Sequence, residues 1–187
     1  MKKFIFLILF TLIFFTSSSY SQSKTNLGFT GGLGFPVAAK DFKDNYNISF
    51  NAGFHHEWTV GKKTVLGWEF NLAHFIPVKD EKDPVQTGGA LFFIKFQDNS
   101  VRKDNIQFFL KGGAGFGIAA DGSPGGHPSL PPFALTFITG GGANYMLSGG
   151  DKIFAETSYR YYLTGSKSQH YNSVNLNIGY SFCLNAR

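Results

Sequence analysis

The chain has 187 residues, of which 43% are hydrophobic and 16% are charged, and it contains 22 Phe and 23 Gly but one Cys. So many aromatic rings argue against disorder, because disordered chains are poor in aromatic residues. So many glycines argue against a helical bundle, because a glycine inside a helix costs about 1 kcal/mol relative to alanine. A single cysteine excludes an internal disulfide framework and a cysteine-rich zinc site.

The N-terminal segment has the pattern of a secretory signal peptide. Lys2 and Lys3 precede the apolar run Phe4–Phe15, which only Thr11 interrupts, and Ser19-Tyr20-Ser21 supplies the small residues of a cleavage site. This run is too short for a membrane-spanning helix, which needs about 20 apolar residues. We therefore predict a signal peptide at 1–21 and an exported domain at 22–187; a retained N-terminal anchor is the alternative.

The basic residues of the exported domain are scattered. Removal of Lys2 and Lys3 with the signal lowers the formal net charge from +5 to +3, and no run of Lys or Arg is longer than two residues. A nucleic-acid-binding face needs clustered basic residues. Nucleic acid is therefore excluded as a partner.

Apolar residues in the exported domain recur with a period of two, which is typical of β-strands. Ile106, Phe108 and Leu110 share one face of a long segment, whereas Gln107 and Lys111 share the other. The same alternation along the chain predicts eight strands at 26–35, 47–60, 64–75, 90–97, 105–119, 133–147, 152–163 and 173–183.

The predicted connections alternate between short and long. The short ones are polar, as hairpin turns are, and lie at 61–63, 98–105 and 148–151. The long ones lie at 36–46, 76–89, 120–132 and 164–172. In an up-and-down meander this alternation places all long loops at one end of the barrel. Such an arrangement is not required in a soluble barrel.

Charged residues inside the predicted strands all lie on the face opposite the apolar stripe; they are Glu57, Glu69, Lys95, Lys111, Glu156 and Arg160. A transmembrane barrel needs this arrangement, because lipid surrounds its outer face. A soluble barrel of the lipocalin type would instead have an apolar lumen and a polar exterior. We expect these three acidic and three basic side chains to pair across the lumen, with a neutral sum, because unpaired buried charges are costly.

The sequence resembles the eight-stranded outer-membrane barrel family (the OmpA/OmpX-like, porin-family β-barrel domain) over residues 24–184. The resemblance depends on the signal peptide, the eight alternating segments, the sorted loops and the aromatic last strand. It implies an all-β, eight-stranded antiparallel up-and-down transmembrane barrel in a Gram-negative outer membrane, with both termini in the periplasm. The partners it implies are outer-membrane lipids and, during biogenesis, the barrel-assembly machinery. In the family the chain usually ends on the last strand with Phe, whereas here five residues follow Phe182.

An eight-stranded barrel is just wide enough inside for side chains, which argues against a general diffusion porin. We interpret the inward polar residues as a structural core, with a proton or ion path as the alternative. Aromatic residues near the strand ends are expected at the two bilayer interfaces, where amphipathic rings are favoured. These residues are Trp58, Trp68, Tyr145, Tyr180 and Phe182 on the short-turn side and Tyr159 and Tyr161 toward the long loops.

Two short motifs suggest chemistry. His127-Pro128-Ser129 has the His-x-Ser spacing found in lipid A deacylases, but Pro128 cannot donate to a strand ladder and the flanking glycines and prolines indicate a loop. In His55-His56-Glu57, neighbouring strand residues face opposite sides, so only His55 and Glu57 could share an ion, without a third ligand. No Gly-rich segment has the pattern of a phosphate-binding loop.

We therefore expect a non-enzymatic outer-membrane barrel, without cofactor or metal, whose role is structural or depends on surface interactions of its long loops. A lipid A-modifying barrel enzyme, an acyl hydrolase or transferase, is the alternative. The loops carry charges of both signs, as in Lys79–Asp83, so no charged class of extracellular partner is indicated.

Overall fold

A computed structural model describes residues 24–37, 40–79, 83–98, 105–121, 133–164 and 170–184. The predicted signal peptide at 1–21 and the triplet His127-Pro128-Ser129 lie outside the described residues. The strands are β1 (Thr25–Pro36), β2 (Tyr46–Thr59), β3 (Thr64–Pro77), β4 (Val85–Gln97), β5 (Ile106–Asp121), β6 (Phe133–Met146), β7 (Lys152–Thr164) and β8 (His170–Leu184). A short helix, α1 (Lys40–Asn45), precedes β2, and a 3₁₀ turn (Ser148–Gly150) precedes β7.

The eight strands form one closed antiparallel barrel in sequence order. Closure comes from β1 and β8, which pair continuously from Thr25 opposite Leu184 to Pro36 opposite Ser173. Each strand pairs with two neighbours, so the sheet has no free edge at which another chain could add a strand. The predicted eight-stranded, all-β, up-and-down barrel is confirmed.

Two predicted loops are shorter than expected. The fourth strand begins at Val85 instead of 90, and the eighth at His170 instead of 173, so the connections there are 78–84 and 165–169. Gly88 and Gly89 suggest a turn, but they pair with Ile118 and Gly117 of β5. Pairing with the neighbouring strands overrides the local glycine signal.

The predicted strict alternation of long and short connections is wrong in detail. The connection at 98–105 was expected to be a short turn, yet it is longer than the connections at 78–84 and 165–169. The connections at 37–45 and 122–132 remain the long ones, and both join strand ends opposite the end of the barrel at which β1 begins and β8 ends.

Helix α1 lies within the predicted loop 36–46 and places an aromatic side chain in the barrel mouth. Phe42 is buried, and its ring contacts those of Phe75 and Tyr171 edge-on at 4.8 and 5.1 Å between centroids. Tyr46 packs against the same cluster, with its ring 5.2 Å from that of Phe42. Among the described residues, no helix is both long enough and apolar enough to span a membrane.

Candidate functional site

The outer wall of the barrel is apolar. Residues of one parity point outward along every strand, and many of them are large and exposed, up to 69% for Leu110 and 67% for Ile178. The exposed set also includes Phe29, Phe50, Phe70, Phe92, Phe108, Phe116, Phe133 and Phe137. Apolar patches on soluble proteins rarely exceed a few hundred Å², so a wall of this kind indicates a non-aqueous surrounding.

Charged side chains of the opposite parity meet inside the barrel in two groups. In the first, Glu57 of β2 accepts hydrogen bonds from Lys95 of β4 through Oε1 and from Lys152 of β7 through Oε2. All three side chains are buried. One carboxylate thus connects three separate strands across the lumen.

The second group is centred on Lys111 of β5. Its Nζ donates to Glu69 of β3 at 2.5 Å and to both oxygens of Glu156 of β7 at 3.2 and 3.0 Å. The other oxygen of Glu69 accepts from Arg160 of β7. The six charged residues selected from the sequence are therefore all buried in the lumen and paired across it.

The predicted neutral sum is wrong, because Lys152 joins the first group. The buried charged side chains among the described residues are Glu57, Glu69 and Glu156 against Lys95, Lys111, Lys152 and Arg160. Lys152 is the first residue of β7 and has the same parity as Glu156 and Arg160. The parity rule would have found it if it had been applied to the strand end as well as to the strand interior.

Apolar side chains and a hydrogen-bonded polar layer fill the rest of the lumen. Leu91, Phe93 and Ile138 form a buried cluster. The ring of Phe93 lies 4.7 Å from Lys111 Nζ, a cation–π contact. Nearer the mouth, Asn51 donates to Asn175 Oδ1 at 2.8 Å.

The ion pairs surround a small cavity of about 10 Å³, which has room for about one water-sized particle. Its lining includes His55, Glu57, Glu69, Lys111 and Arg160. Side chains thus fill most of the lumen between the described strands, as the small diameter of an eight-stranded barrel requires.

The two histidines of His55-His56-Glu57 face opposite sides of the wall. His55 is buried in the lumen, where its ring lies 5.2 Å from that of Phe154 and its Nε2 is 3.9 Å from Glu57 Oε1. His56 lies outside, between the rings of Trp58 and Trp68. Among the described residues, no group of three or more His, Cys, Asp or Glu side chains could hold a metal ion.

All seven aromatic residues assigned to the interfaces have the outward parity. Trp58, Tyr145, Tyr180 and Phe182 lie within a few residues of the short-turn end, and the rings of Tyr180 and Phe182 are in contact at 4.7 Å. Trp68 lies further along β3, and its ring contacts that of Phe54 at 4.9 Å. Tyr159 and Tyr161 lie in the half of β7 nearer the long loops. Exposed Phe residues also occupy the strand centres between these two sets.

Asp151 fastens the last strand to the turn between β6 and β7. Its carboxylate accepts a hydrogen bond from the Tyr180 hydroxyl at 2.5 Å and another from the backbone N–H of Cys183 at 2.8 Å. Both hydrogen bonds favour the ionised carboxylate, so they lower the pKa of Asp151 below its ordinary value. The sequence offered no signal for this contact, because Asp151 lies in a turn and its partners follow some 30 residues later.

Small residues of three strands produce a shallow hollow of about 370 Å³ on the outer wall. Gly31, Gly141, Ala155 and Thr157 form part of its lining, and Leu176 and Ile178 of β8 border it. Lipid chains would contact this surface in a membrane, so the hollow belongs to the apolar wall.

Solved structures of other proteins have the same architecture. Neisserial surface protein A has a TM-score of 0.62 and 11% identity, with coverage of 88% of this chain and 98% of that one. The fold is that of the eight-stranded outer-membrane barrels. No protein-family model and no curated protein sequence matches the chain.

Two further structures are those of other outer-membrane proteins. The Yersinia pestis outer-membrane protein Ail, determined in a phospholipid bilayer nanodisc, has a TM-score of 0.50 and 14% identity, with coverage of 86% of this chain and all of that one. The outer-membrane enzyme PagL has a TM-score of 0.53 and 12% identity, with coverage of 82% and 97%. Since a surface protein, an attachment protein and an enzyme share this barrel, the fold alone does not select a role.

Proposed function

We propose that the protein is an integral outer-membrane β-barrel with a closed, side-chain-filled lumen, and that its role is structural or depends on surface interactions of its loops. The observation that carries this proposal is the pairing of an apolar outer wall with buried ion pairs inside. Lipid is the surrounding in which that distribution is favourable. In water the same wall would expose more apolar surface than a soluble monomer tolerates.

The proposed orientation places both termini in the periplasm. The first residue of β1, Thr25, pairs with the last residue of β8, Leu184, at the barrel end that also has the turn 60–63. Outer-membrane barrels have short periplasmic turns and longer extracellular loops. We therefore propose that four connections lie on the extracellular side of the membrane: 37–45, 78–84, 122–132 and 165–169.

The proposed partners are membrane lipids around the wall and the barrel-assembly machinery during biogenesis. An extracellular partner would be met by the outer loops, and loops commonly carry the function of a rigid scaffold. Two structural neighbours are named a surface protein and an attachment invasion locus protein. Their names and the filled lumen favour a surface role over transport.

The experiment is fractionation of cells expressing the full chain, combined with substitutions on the wall. Wild-type protein is expected in the outer-membrane fraction, with migration in detergent gels that changes on heating. Ile178→Arg places a charge on the exposed middle of β8. It is expected to lower the free energy of unfolding in vesicles by about 2–4 kcal/mol and so to reduce the amount of folded protein. Val60→Arg, at an exposed position outside the strands, is the matched control.

Two outcomes would contradict the proposal. One is a mature chain that purifies as a soluble monomer without detergent. The other is equal recovery of folded Ile178→Arg and Val60→Arg proteins. In a lipid-facing wall, a charge at position 178 must destabilise the barrel more than a charge outside the strands.

A lipid A-modifying enzyme is the second candidate function, supported by the similarity in fold to PagL. His127 and Ser129 are its only sequence motif. Mass spectrometry of lipid A from cells with the wild-type gene, with His127→Ala and with Ser129→Ala would test it. Unchanged lipid A after deletion of the whole gene would exclude this function.

A further inference from the structure

Aromatic rings are concentrated on the outer wall where β1, β2 and β3 lie side by side. Neighbouring rings there are in contact, with centroids 4.9 Å apart for Phe54 and Trp68 and 5.5 Å apart for Trp68 and Phe70. The outward side chains of this surface, which we call the ring patch, are Phe29 of β1, Phe54, His56 and Trp58 of β2, and Trp68 and Phe70 of β3.

His56 brings a polar ring into this patch at the height of the two tryptophans. Its ring lies 5.5 Å from that of Trp58 and 5.7 Å from that of Trp68. Imidazole and indole each carry an N–H donor on a largely apolar body, and such rings are favoured where the hydrocarbon of a bilayer meets the headgroups. This part of the ring patch therefore matches the ester region of a lipid, whereas Phe54 and Phe70 match its chains.

Exposed lysines lie just beyond the ring patch, at the short-turn end of the barrel. Lys62 and Lys63 are in the turn between β2 and β3, and Lys24 directly precedes β1. The carbonyl of Lys24 accepts a hydrogen bond from the backbone N–H of Thr59 at 3.1 Å, which places Lys24 beside the same turn.

Positive charge predominates beside this turn. The one exposed carboxylate that the structure describes there is that of Asp98, which follows β4. It lies close because the backbone N–H of the preceding residue, Gln97, donates to the carbonyl of Lys63 at 2.8 Å. Three lysines and one aspartate leave two positive charges, so the complementary partner is anionic.

We propose that the ring patch and these three lysines bind one anionic phospholipid of the periplasmic leaflet. Its chains lie along the phenylalanines, its ester groups lie near His56 and the tryptophans, and its phosphate lies among the lysines. This inference rests on the proposed function, which places the wall in the outer membrane with the turn 60–63 in the periplasm.

The two halves of the site select this ligand together. A lysine ammonium binds phosphate as a point charge, and its long apolar stem reaches from the wall to the headgroups. A lipid without net charge would contact the rings but leave the two positive charges unbalanced. Free phosphate would meet the lysines but not the rings.

The experiment uses the two tryptophans, which are the only ones in the chain and both belong to the ring patch. The full mature chain is folded into phosphatidylcholine vesicles that contain a small fraction of one lipid brominated on its acyl chains, either phosphatidylglycerol or phosphatidylcholine. Bromine quenches tryptophan fluorescence on contact, so the quenching gives the binding constant of phosphatidylglycerol relative to phosphatidylcholine at the patch.

Phosphatidylglycerol is expected to be favoured at least about fivefold, since one lysine near an anionic surface contributes roughly that factor. In about 1 M salt this preference is expected to fall toward one, because the Debye length is then about 3 Å.

A double variant tests the lysines. Lys62→Gln combined with Lys63→Gln leaves Lys24 balanced by Asp98, so the two lipids are expected to bind equally. Lys43→Gln, which removes an exposed lysine of α1 at the opposite end of the barrel, is the matched control and is expected to keep the wild-type preference.

Equal quenching of the wild type by the two brominated lipids would overturn this inference and leave the proposed function intact, because the barrel would then lie in the bilayer without selecting a headgroup. A preference that the double variant retains in full would also overturn it. If neither lipid quenched the tryptophans, both proposals would fail, since the ring patch would not face lipid. The wild-type comparison needs no variant, so it decides the question even if the double variant fails to fold.

Discussion

Lys111 on β5 donates to both carboxylate oxygens of Glu156 on β7, at 3.0 and 3.2 Å, although β6 lies between these strands. The residues of β6 that pair with them are glycines: Gly140 lies opposite Lys111, and Gly142 lies opposite Glu156. Because neither glycine has a side chain, the ammonium and the carboxylate meet over the intervening strand.

Substitution Lys111→Met is expected to destabilise the barrel by about 3–5 kcal/mol, because it leaves the buried carboxylate of Glu156 without its cation. Urea unfolding in detergent, followed by the fluorescence of Trp58 and Trp68, measures the change. Adding Glu156→Leu to this variant is expected to restore much of the loss, since no unpaired charge then remains at that point. Lys63→Met changes an exposed lysine and is expected to stay within about 0.5 kcal/mol of the wild type. Similar losses of stability for Lys111→Met and Lys63→Met would contradict the buried ion pair between Lys111 and Glu156.

Phe42 is buried in the barrel mouth, so its truncation is expected to weaken the fold although it lies outside the strands. Phe42→Ala removes a buried ring that contacts Phe75 and Tyr171, and a loss of about 3 kcal/mol is expected from cavity formation. Lys43→Ala, at the exposed neighbouring position of α1, is the matched control. If both variants unfold at the same urea concentration, the ring of Phe42 does not stabilise the fold.

The period of two and the parity of the charges predicted the eight strands and the direction of each side chain. Parity tells which side of the wall a residue faces, but not its height along the barrel or its angle around it. Arg160 shows the limit: its partner is Glu69 of β3, and no spacing in the sequence indicates that pair. Pairing inside the lumen depends on the shear of the closed sheet, which the sequence pattern does not contain.

Helix α1 and the start of β4 could not be predicted for a different reason. Both are determined by neighbours that are distant in sequence: Phe42 packs onto Tyr171, and Gly89 pairs with Gly117. Local signals at these places indicate loop and turn. Tertiary contacts override local propensity in such segments.

Two glycines of β5 are expected to respond oppositely to substitution. A Cβ at Gly115 would lie 2.1 Å from the carbonyl oxygen of Ala90 and 2.4 Å from Leu91 Cα, whereas a Cβ at Gly112 would meet no atom within 4 Å. Gly115→Ala is therefore expected to cost about 1–3 kcal/mol, as overpacking does. Gly112→Ala is expected to be neutral or slightly stabilising, because it restricts the unfolded chain. Unfolding in urea compares the two, and a loss at Gly112 as large as that at Gly115 would contradict the close approach of β4 and β5.

Asp151 is expected to make the stability of the barrel depend on pH in acid. Hydrogen bonds from Tyr180 and from the backbone of Cys183 lower its pKa in the folded state below the ordinary value of 3.8. A lowered folded pKa means that the ionised form contributes stability above pH 3.8, and that this contribution is lost as the pH falls below that value toward the folded pKa. Asp151→Asn is therefore expected to be less stable than the wild type at pH 7 and to approach it near pH 2 in unfolding experiments. Tyr180→Phe removes one of the two hydrogen bonds to Asp151. It is expected to reduce, but not to abolish, the loss of stability that the barrel shows between pH 7 and pH 2. A gap between the wild type and Asp151→Asn that stays constant from pH 7 to pH 2 would show that the carboxylate charge does not hold β8 to the turn.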